Sequence, residues 1–262
     1  MSKKIPFTGL HAHSGMSLND GLGYPQDHMK FAHENGSAAL ALTDHGHMNG
    51  LPYQVLHAKK MLAEGKNFKP IFGVAAYFLP SLDRWREEYE RVQAEKKGKR
   101  TKNEVSLSIE DEQASKQKVK DILKKRNHLI LLAQNQQGLN NIFKLVSESY
   151  KSDNFYRYPR IDYDLLASYN EGVLASSACL GGVYAGDYWD HRESGTDAVL
   201  DAMRETTRRM KAIFGDRWYG EIQWNNIPDQ HKLNQHIIQV CRELDVELIS
   251  TADSHYPNPD AW

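Results

Sequence analysis

His11-Ala-His13-Ser-Gly-Met-Ser-Leu-Asn-Asp20, directly after the apolar run Ile5 to Leu10, puts two imidazoles and a carboxylate within ten residues. In an extended chain alternate residues face the same way, so His11 and His13 can aim ring nitrogens at one point. Neutral imidazole suits zinc, manganese or iron, and a neighbouring carboxylate hardens such a site toward manganese or magnesium. A lone His-x-His is common on ordinary surfaces, but three later segments answer this one: Ala38-Ala-Leu-Ala-Leu-Thr-Asp44-His45, His128-Leu-Ile-Leu-Leu-Ala133 and Leu248-Ile-Ser-Thr-Ala-Asp253-Ser-His255. Each is an apolar run that ends in, or contains, further ligand-type side chains. Asp253-Ser-His255 repeats the same-face spacing of the first pair, so a metal site gathered from strand ends is expected.

Working outward, residues 5–11 read as a strand and 24–35 as a helix with Pro25 in its first turn and Gly36 as its stop. Strands are then expected at 38–43, 70–78, 128–133, 172–177, 218–224 and 247–252. Helices are expected at 49–64, 137–150, 195–214 and 230–244. This alternation predicts an α/β protein, a (β/α)7 barrel of parallel strands with its chemistry at the C-terminal strand ends. His11, His13, His45, Asp253 and His255 fall at such ends, whereas His128 begins its strand. The rhythm breaks after Pro80. Residues 82–127 read as a polar insertion, helical over Trp85 to Glu95 but nearly all polar from Lys96 to Gln117. Such composition buries too little surface to offset ordering entropy, so this part is expected to be partly disordered and cut first by proteases. Residues 1–262 are otherwise expected to form one domain.

Composition narrows the partners. A formal net charge of −1 lacks the basic footprint of a chain that holds nucleic acid by charge alone, so any DNA contact should be local. The cluster Lys96-Lys-Gly-Lys-Arg-Thr-Lys102 reads as a solvated loop. No stretch reads as a membrane span or signal peptide, and two cysteines, Cys179 and Cys241, fit a reducing compartment, so a cytoplasmic protein is expected. Cys241 is expected on the apolar face of a helix.

Six phrases in this order carry a family resemblance: Leu10-His-Ala-His-Ser with Leu18-Asn-Asp-Gly21, Ala41-Leu-Thr-Asp-His-Gly46, Lys69-Pro-Ile-Phe-Gly73, His128 to Asn135, Ser177-Ala-Cys-Leu-Gly-Gly182 and Thr251-Ala-Asp-Ser-His-Tyr256. Together they resemble the PHP (polymerase and histidinol phosphatase) domain, most closely that at the N-terminus of bacterial and phage C-family replicative polymerases, the DNA polymerase III alpha type. The wording of residues 214–230 is phage-like. The resemblance implies a distorted barrel and nine ligand positions, which fall here on His11, His13, Asp20, His45, Ala75, His128, Cys179, Asp253 and His255. Eight carry ligand-type side chains, and Asp20, His45 and Asp253 would be catalytic. The ninth departs, since Ala75 stands where the family has a glutamate that bridges two metals.

The resemblance further implies up to three divalent ions (Mn2+, Zn2+ or Mg2+) in an intact site, fewer here. It also implies phosphoester hydrolysis of the 3′-5′ exonuclease (proofreading) kind on the 3′ end of single-stranded DNA. The remaining polymerase domains would lie in cis. Their palm aspartates are absent, and the sequence stops seven residues after His255, so a fragment is expected. Two other functions compete. One is an inactive module that stabilises the polymerase and offers a docking surface, which Ala75 favours. The other is a free phosphatase of the histidinol-phosphate type, against which the polymerase-like phrases argue. Outside the nine positions, Asp44 is expected to orient rather than ligate, and His47 to lie at the surface or contact substrate. Arg160 is expected to bind phosphate or to form a structural salt bridge. His28, His33, His57, His191, His231 and His236 are expected to face solvent.

Overall fold

The computed structural model describes residues 7–101 and 124–261. Its strands, in chain order, are β1 (Ala39–Leu42), β2 (Lys69–Phe78), β3 (Asn127–Ala133), β4 (Phe155–Tyr156), β5 (Tyr158–Ile161), β6 (Val173–Ser176), β7 (Trp218–Gln223) and β8 (Glu247–Thr251). β2 is the spine. Because side chains alternate along a strand, Val74, Ala76 and Phe78 enter the main core, while Ala75 fills the barrel interior with Ala41, Ile130, Leu132 and Ala178. Helices Gln136–Ser149, Thr196–Phe214 and Pro228–Glu243 cover the outside, sending in Ile142 and Leu145, Met203 and Met210, and Ile237 and Cys241. Cys241 thus lies on the apolar face expected for it.

The sheet runs β1, β2, β3, β6, β7, β8 by direct pairing, with β5 added beside the end of β2 and β4 beside β5. Gly9 bridges Leu40 of β1, and Ala12 bridges Ser254 just beyond β8, so residues 9–12 act as the seventh stave and close the ring. The barrel is therefore α/β with seven staves, as the strand count implied. Its first stave, expected as a strand over 5–11, is reduced to isolated bridges. Here Ala12 N–H turns to the Thr43 hydroxyl at 3.2 Å instead of a neighbouring carbonyl.

One stave departs from the expected parallel order. β3 runs antiparallel to both β2 and β6. The chain leaves β2 at the upper rim and comes back to that same rim at Asn127, so β3 can only run downward; a parallel strand would need a helical crossover to the opposite rim. In this register His128 faces Tyr77, the last residue but one of β2. The start of β3 and the ends of the parallel strands are thus at one level, which explains how a strand-initial histidine joins strand-terminal ones.

The expected insertion begins as ordered structure. Leu82–Thr101 is a helix whose first turn is capped by Asp162, with Leu82 N–H donating to its Oδ2 at 2.9 Å. Leu82, Trp85 and Val92 are buried against Leu79 and partly buried Tyr89, Tyr156 and Leu165. Of the stretch 82–127 for which partial disorder was expected, residues 102–123 lie outside the described residues. No helix among the described residues is long and apolar enough to cross a membrane.

The turn after β6 depends on Gly182, which bridges His128 of β3. A Cβ there would stand 2.0 Å from Ser177 O and 2.9 Å from Cys179 O, both backbone atoms with little room to yield. Gly182→Ala should therefore lower stability by about 1–3 kcal/mol, the usual cost of overpacking. Urea denaturation checks this, and an unchanged midpoint would mean that the turn relaxes freely.

Candidate metal centre

The upper rim collects polar side chains that the apolar staves deliver at their ends. His11 and His13, two apart on the first stave, place their Nε2 atoms 3.1 Å from each other. Asp253, just past β8, sets Oδ1 3.0 Å from His11 Nε2 and 3.3 Å from His13 Nε2. That oxygen is buried but meets neither nitrogen with hydrogen-bond geometry, and His45 Nδ1 is likewise buried and unpartnered. Asp20 Oδ2 lies 3.1 Å from both His45 Nε2 and His255 Nε2. Two donor groups result, His11 with His13 and Asp253, and His13 with Asp20, His45 and His255, each with ligand atoms within 4.8 Å of one another. His128 joins through its ring, 4.5 Å from that of His45, and Cys179 Sγ is 3.8 Å from His128 Nδ1. The eight side chains expected as ligands therefore meet at one rim. Ala75, fully buried, lies on the same inward face of β2 as Tyr77, one step deeper.

Backbone conformation serves the same arrangement. Asn19, Ala178 and Asp253 adopt positive φ of 61°, 61° and 50°. Two of these immediately precede Asp20 and Cys179, and the third is itself at the rim. Left-handed backbone at non-glycine residues costs about 1 kcal/mol or more each and persists where surrounding structure imposes it.

Glu221, fully buried in β7, joins the site without having been among the expected residues. It accepts hydrogen bonds from His11 Nδ1 at 2.7 Å, Ser176 Oγ at 2.5 Å, Thr251 Oγ1 at 2.6 Å and Gln223 Nε2 at 3.1 Å. A carboxylate on Nδ1 fixes the ring so that Nε2 faces the nest, the usual orienting partner of a ligating histidine. Its signal was available, because Trp218-Tyr-Gly-Glu-Ile-Gln223 carries a charge in mid-strand. Ser17 does the same for His13, its hydroxyl 3.1 Å from Nδ1. Asp44 orients, as expected: buried, it accepts from Ser14 N–H at 2.8 Å and from the Ser14 and Ser17 hydroxyls at 3.0 Å.

Other expectations are corrected. His28 does not face solvent; it is buried, with Nε2 2.7 Å from Leu22 O. Arg160, expected at a phosphate or in a structural salt bridge, is buried, where its guanidinium donates to the carbonyls of Lys125, Tyr156 and Tyr158 and stacks 4.7 Å from the Trp85 ring.

Charge in the nest is divided unevenly. Burial alone would lower the His11 pKa, but the Glu221 and Asp253 carboxylates outweigh it and hold the ring up at about 10. Burial and neighbouring histidines push His45 down to about 2 and His128 down to about 3, and burial lowers His13. Burial would raise Asp253, but His11 and His13 beside it win and hold it far below the usual carboxylate range. His13, His45 and His128 are thus neutral near pH 7, the form that donates a lone pair to a cation. Burial raises the Cys179 thiol.

The family profile described as PHP domain matches residues 9–225. The DNA polymerase III subunit alpha of Aquifex aeolicus is 37% identical over 254 residues, 97% of this chain and 18% of that subunit. That of Borreliella burgdorferi is 34% identical over 258 residues, 98% of this chain and 19% of that subunit. The chain spans about a fifth of the length of these curated relatives. Among solved structures, an amidohydrolase from Chromobacterium violaceum aligns over 97% of this chain and 89% of its own at 13% identity with a TM-score of 0.49, too distant to bear on chemistry.

Two outcomes follow from the site. Glu221→Gln should weaken Mn2+ binding roughly 10–100-fold, the range for loss of such an orienting partner; calorimetric titration measures it, and unchanged affinity would show that His11 is held by packing alone. In chelator-treated protein His45 and His128, depressed when folded, favour folding at neutral pH and lose that contribution as pH falls below about 6.5. His11, raised when folded, acts oppositely, with its contribution complete below about 6.5 and lost only as pH climbs toward 10. Thermal midpoints should therefore fall between pH 6.5 and 4.5, and a flat profile there would contradict this charge distribution.

Proposed function

The chain belongs to the PHP domain family, and from that footing we propose that its rim of imidazoles and carboxylates is a divalent-metal centre for phosphoester hydrolysis. The observation that carries this proposal is Asp253 Oδ1, a buried carboxylate oxygen 3.0 Å from His11 Nε2 and 3.3 Å from His13 Nε2, so that three ligand atoms converge on one point. An anion so placed is stabilised by a cation shared with those nitrogens. Divalent ions there would polarise a phosphodiester and acidify a water molecule. In this proposal His11, His13 and Asp253 hold one ion, which would take the place of the His11 Nε2 proton, and Asp20, His45 and His255 gather around a second, with His128 and Cys179 alongside. Glu221 and Ser17 keep the His11 and His13 rings turned, and Asp20 and Asp253 offset positive charge. Asp20, His45 and Asp253 are the residues proposed to act on substrate.

Occupancy should be lower than in an intact family site. His13 belongs to both donor groups, and one nitrogen lone pair binds one ion. Ala75 supplies no bridging carboxylate. Two cations a few ångströms apart in a partly dry site repel strongly, so a missing shared anion matters more than an ordinary ligand.

Because the relatives are DNA polymerase III alpha subunits, we place this domain within a bacterial or phage replicative polymerase of the cytoplasm. The rest of the polymerase lies in cis, and the substrate is the 3′ end of single-stranded DNA, degraded 3′ to 5′ as in proofreading. A second function, an inactive docking and stabilising module, is favoured by the methyl group at position 75.

Ala75→Glu tests both. Its carboxylate would project from the inward face of β2 toward the rim, raise metal content from one or two ions toward three, and restore or increase Mn2+-dependent digestion of single-stranded DNA. Elemental analysis and a nuclease assay on both proteins, with Asp253→Ala in the variant background against contaminating nuclease, read the result. Equal digestion by both proteins, dependent on Asp253, would show that the site works without the bridge. Absence of digestion in both, with metal bound, would favour the docking module.

A further inference from the structure

β3 starts at the rim, and the residue two before His128 is Arg126, on the same side of the extended chain and one step further out, about 7 Å along. Its guanidinium carbon sits over an aromatic pair, 3.8 Å from the Tyr158 ring centre and 5.3 Å from that of Tyr77. Tyr77 and Tyr158 pack edge to face at 5.1 Å. Tyr77 in turn stacks on His45 at 5.6 Å and leans on His128 at 5.5 Å. One continuous stack thus ties the guanidinium to two of the imidazoles at the metal rim. Gly46 keeps it tight, since a Cβ there would meet Pro159 at 2.8 Å and Tyr77 at 3.2 Å.

The stack holds Arg126 but leaves much of its fork unspent. Among the described residues, Nη1 has only a long 3.4 Å contact with Lys124 O, the Tyr77 hydroxyl interacts with the guanidinium, and Nε is buried with no hydrogen-bond partner. A guanidinium is planar, permanently charged and matched to the paired oxygens of a phosphate, and stacking on aromatic faces leaves its edge free for that pairing. Arg160, two strands away, shows the contrast: it is enclosed and occupied by backbone carbonyls.

We propose that Arg126 is a substrate-binding residue that grips the anionic phosphate group beside the metal rim, pre-oriented by Tyr158 and Tyr77. This rests on the phosphoester assignment above and adds the residue that holds the anion. The ions neutralise one side of the phosphate, and Arg126 neutralises another from the His45–His128 side. Its fork would also set the phosphate's orientation relative to that edge, which a free metal ion cannot do.

The test uses inorganic phosphate as probe and Mn2+-loaded protein, so that it reads binding and not turnover. Metal content and Mn2+ affinity are measured first, then phosphate affinity by calorimetry, for the present chain, Arg126→Gln and Arg126→Lys. The expected result is unchanged Mn2+ affinity in all three, phosphate binding at least about tenfold weaker in Arg126→Gln, and an intermediate value for Arg126→Lys, which keeps the charge but not the fork. Equal phosphate affinity in Arg126→Gln would overturn the proposal, as would no phosphate binding by the metal-loaded parent chain. Loss of Mn2+ affinity in Arg126→Gln would also overturn it, because Arg126 would then brace the rim. If phosphate binding depends on Arg126 but no variant digests DNA, the phosphate grip stands and the nuclease assignment fails.

Discussion

A hydrogen-bonded ion pair sealed from water, His11 Nδ1 on Glu221 Oε1 at 2.7 Å, is the contact on which the rim depends. Both side chains are fully enclosed, and a buried charge is tolerated only when paired and hydrogen-bonded. Glu221 also collects donors from Ser176 of β6, Gln223 of β7 and Thr251 of β8, so one carboxylate fastens three adjacent strands to the irregular first stave. That stave pairs with both neighbours through Ala41 N–H to Gly9 O, Thr43 N–H to Ala12 O and His13 N–H to Ser254 O, each 2.8 Å, and the carboxylate network adds a buried side-chain tie to that pairing. The orientation of His11, and through it the facing of the His11 and His13 nitrogens, follows.

Above that floor the molecule accepts local cost. Positive φ at Asn19, Ala178 and Asp253 opposes stability, and the close-packed imidazoles, which resist protonation, oppose it once the pH falls below about 6.5. Closing the barrel, with Trp218, Phe214, Met203 and Leu131 in the main core, supplies the burial that holds these residues in place. Rigid staves with strained, polar ends are an arrangement suited to binding a charged partner, because little reorganisation remains when it arrives. Ala75 interrupts the pattern, being a small apolar residue among Ala41, Ala178 and Ile130 directly below the polar rim. It extends the dry interior upward by one side chain.

The antiparallel β3 links architecture and chemistry. It lets one strand contribute its beginning to a rim otherwise made of strand ends, and it places Arg126 and His128 in succession along the approach to the nest. The aromatic stack of Tyr158, Tyr77 and His45 then joins the Arg126 side of the rim to its imidazoles.

Much of this was legible from residue order. Alternating apolar runs and amphipathic segments dictate a seven-stave α/β barrel, because each needs a partner layer to bury its one apolar face. His-x-His and Asp-x-His at strand ends mark the rim, since a period of two aims such pairs at one point. Strand direction was not legible: the pattern of β3 is the same read up or down, and only the path of the chain after β2 decides it. Glu221 escaped because its role lies in long-range pairing with His11, 210 positions away, which no local period encodes. His28 escaped because a helical histidine is buried or exposed according to what packs on it, here the loop carbonyl of Leu22. Local spacing determined which side chains could act together, whereas closure of the ring decided which of them do, because only tertiary packing removes water and sets donors from distant strands at bonding distance.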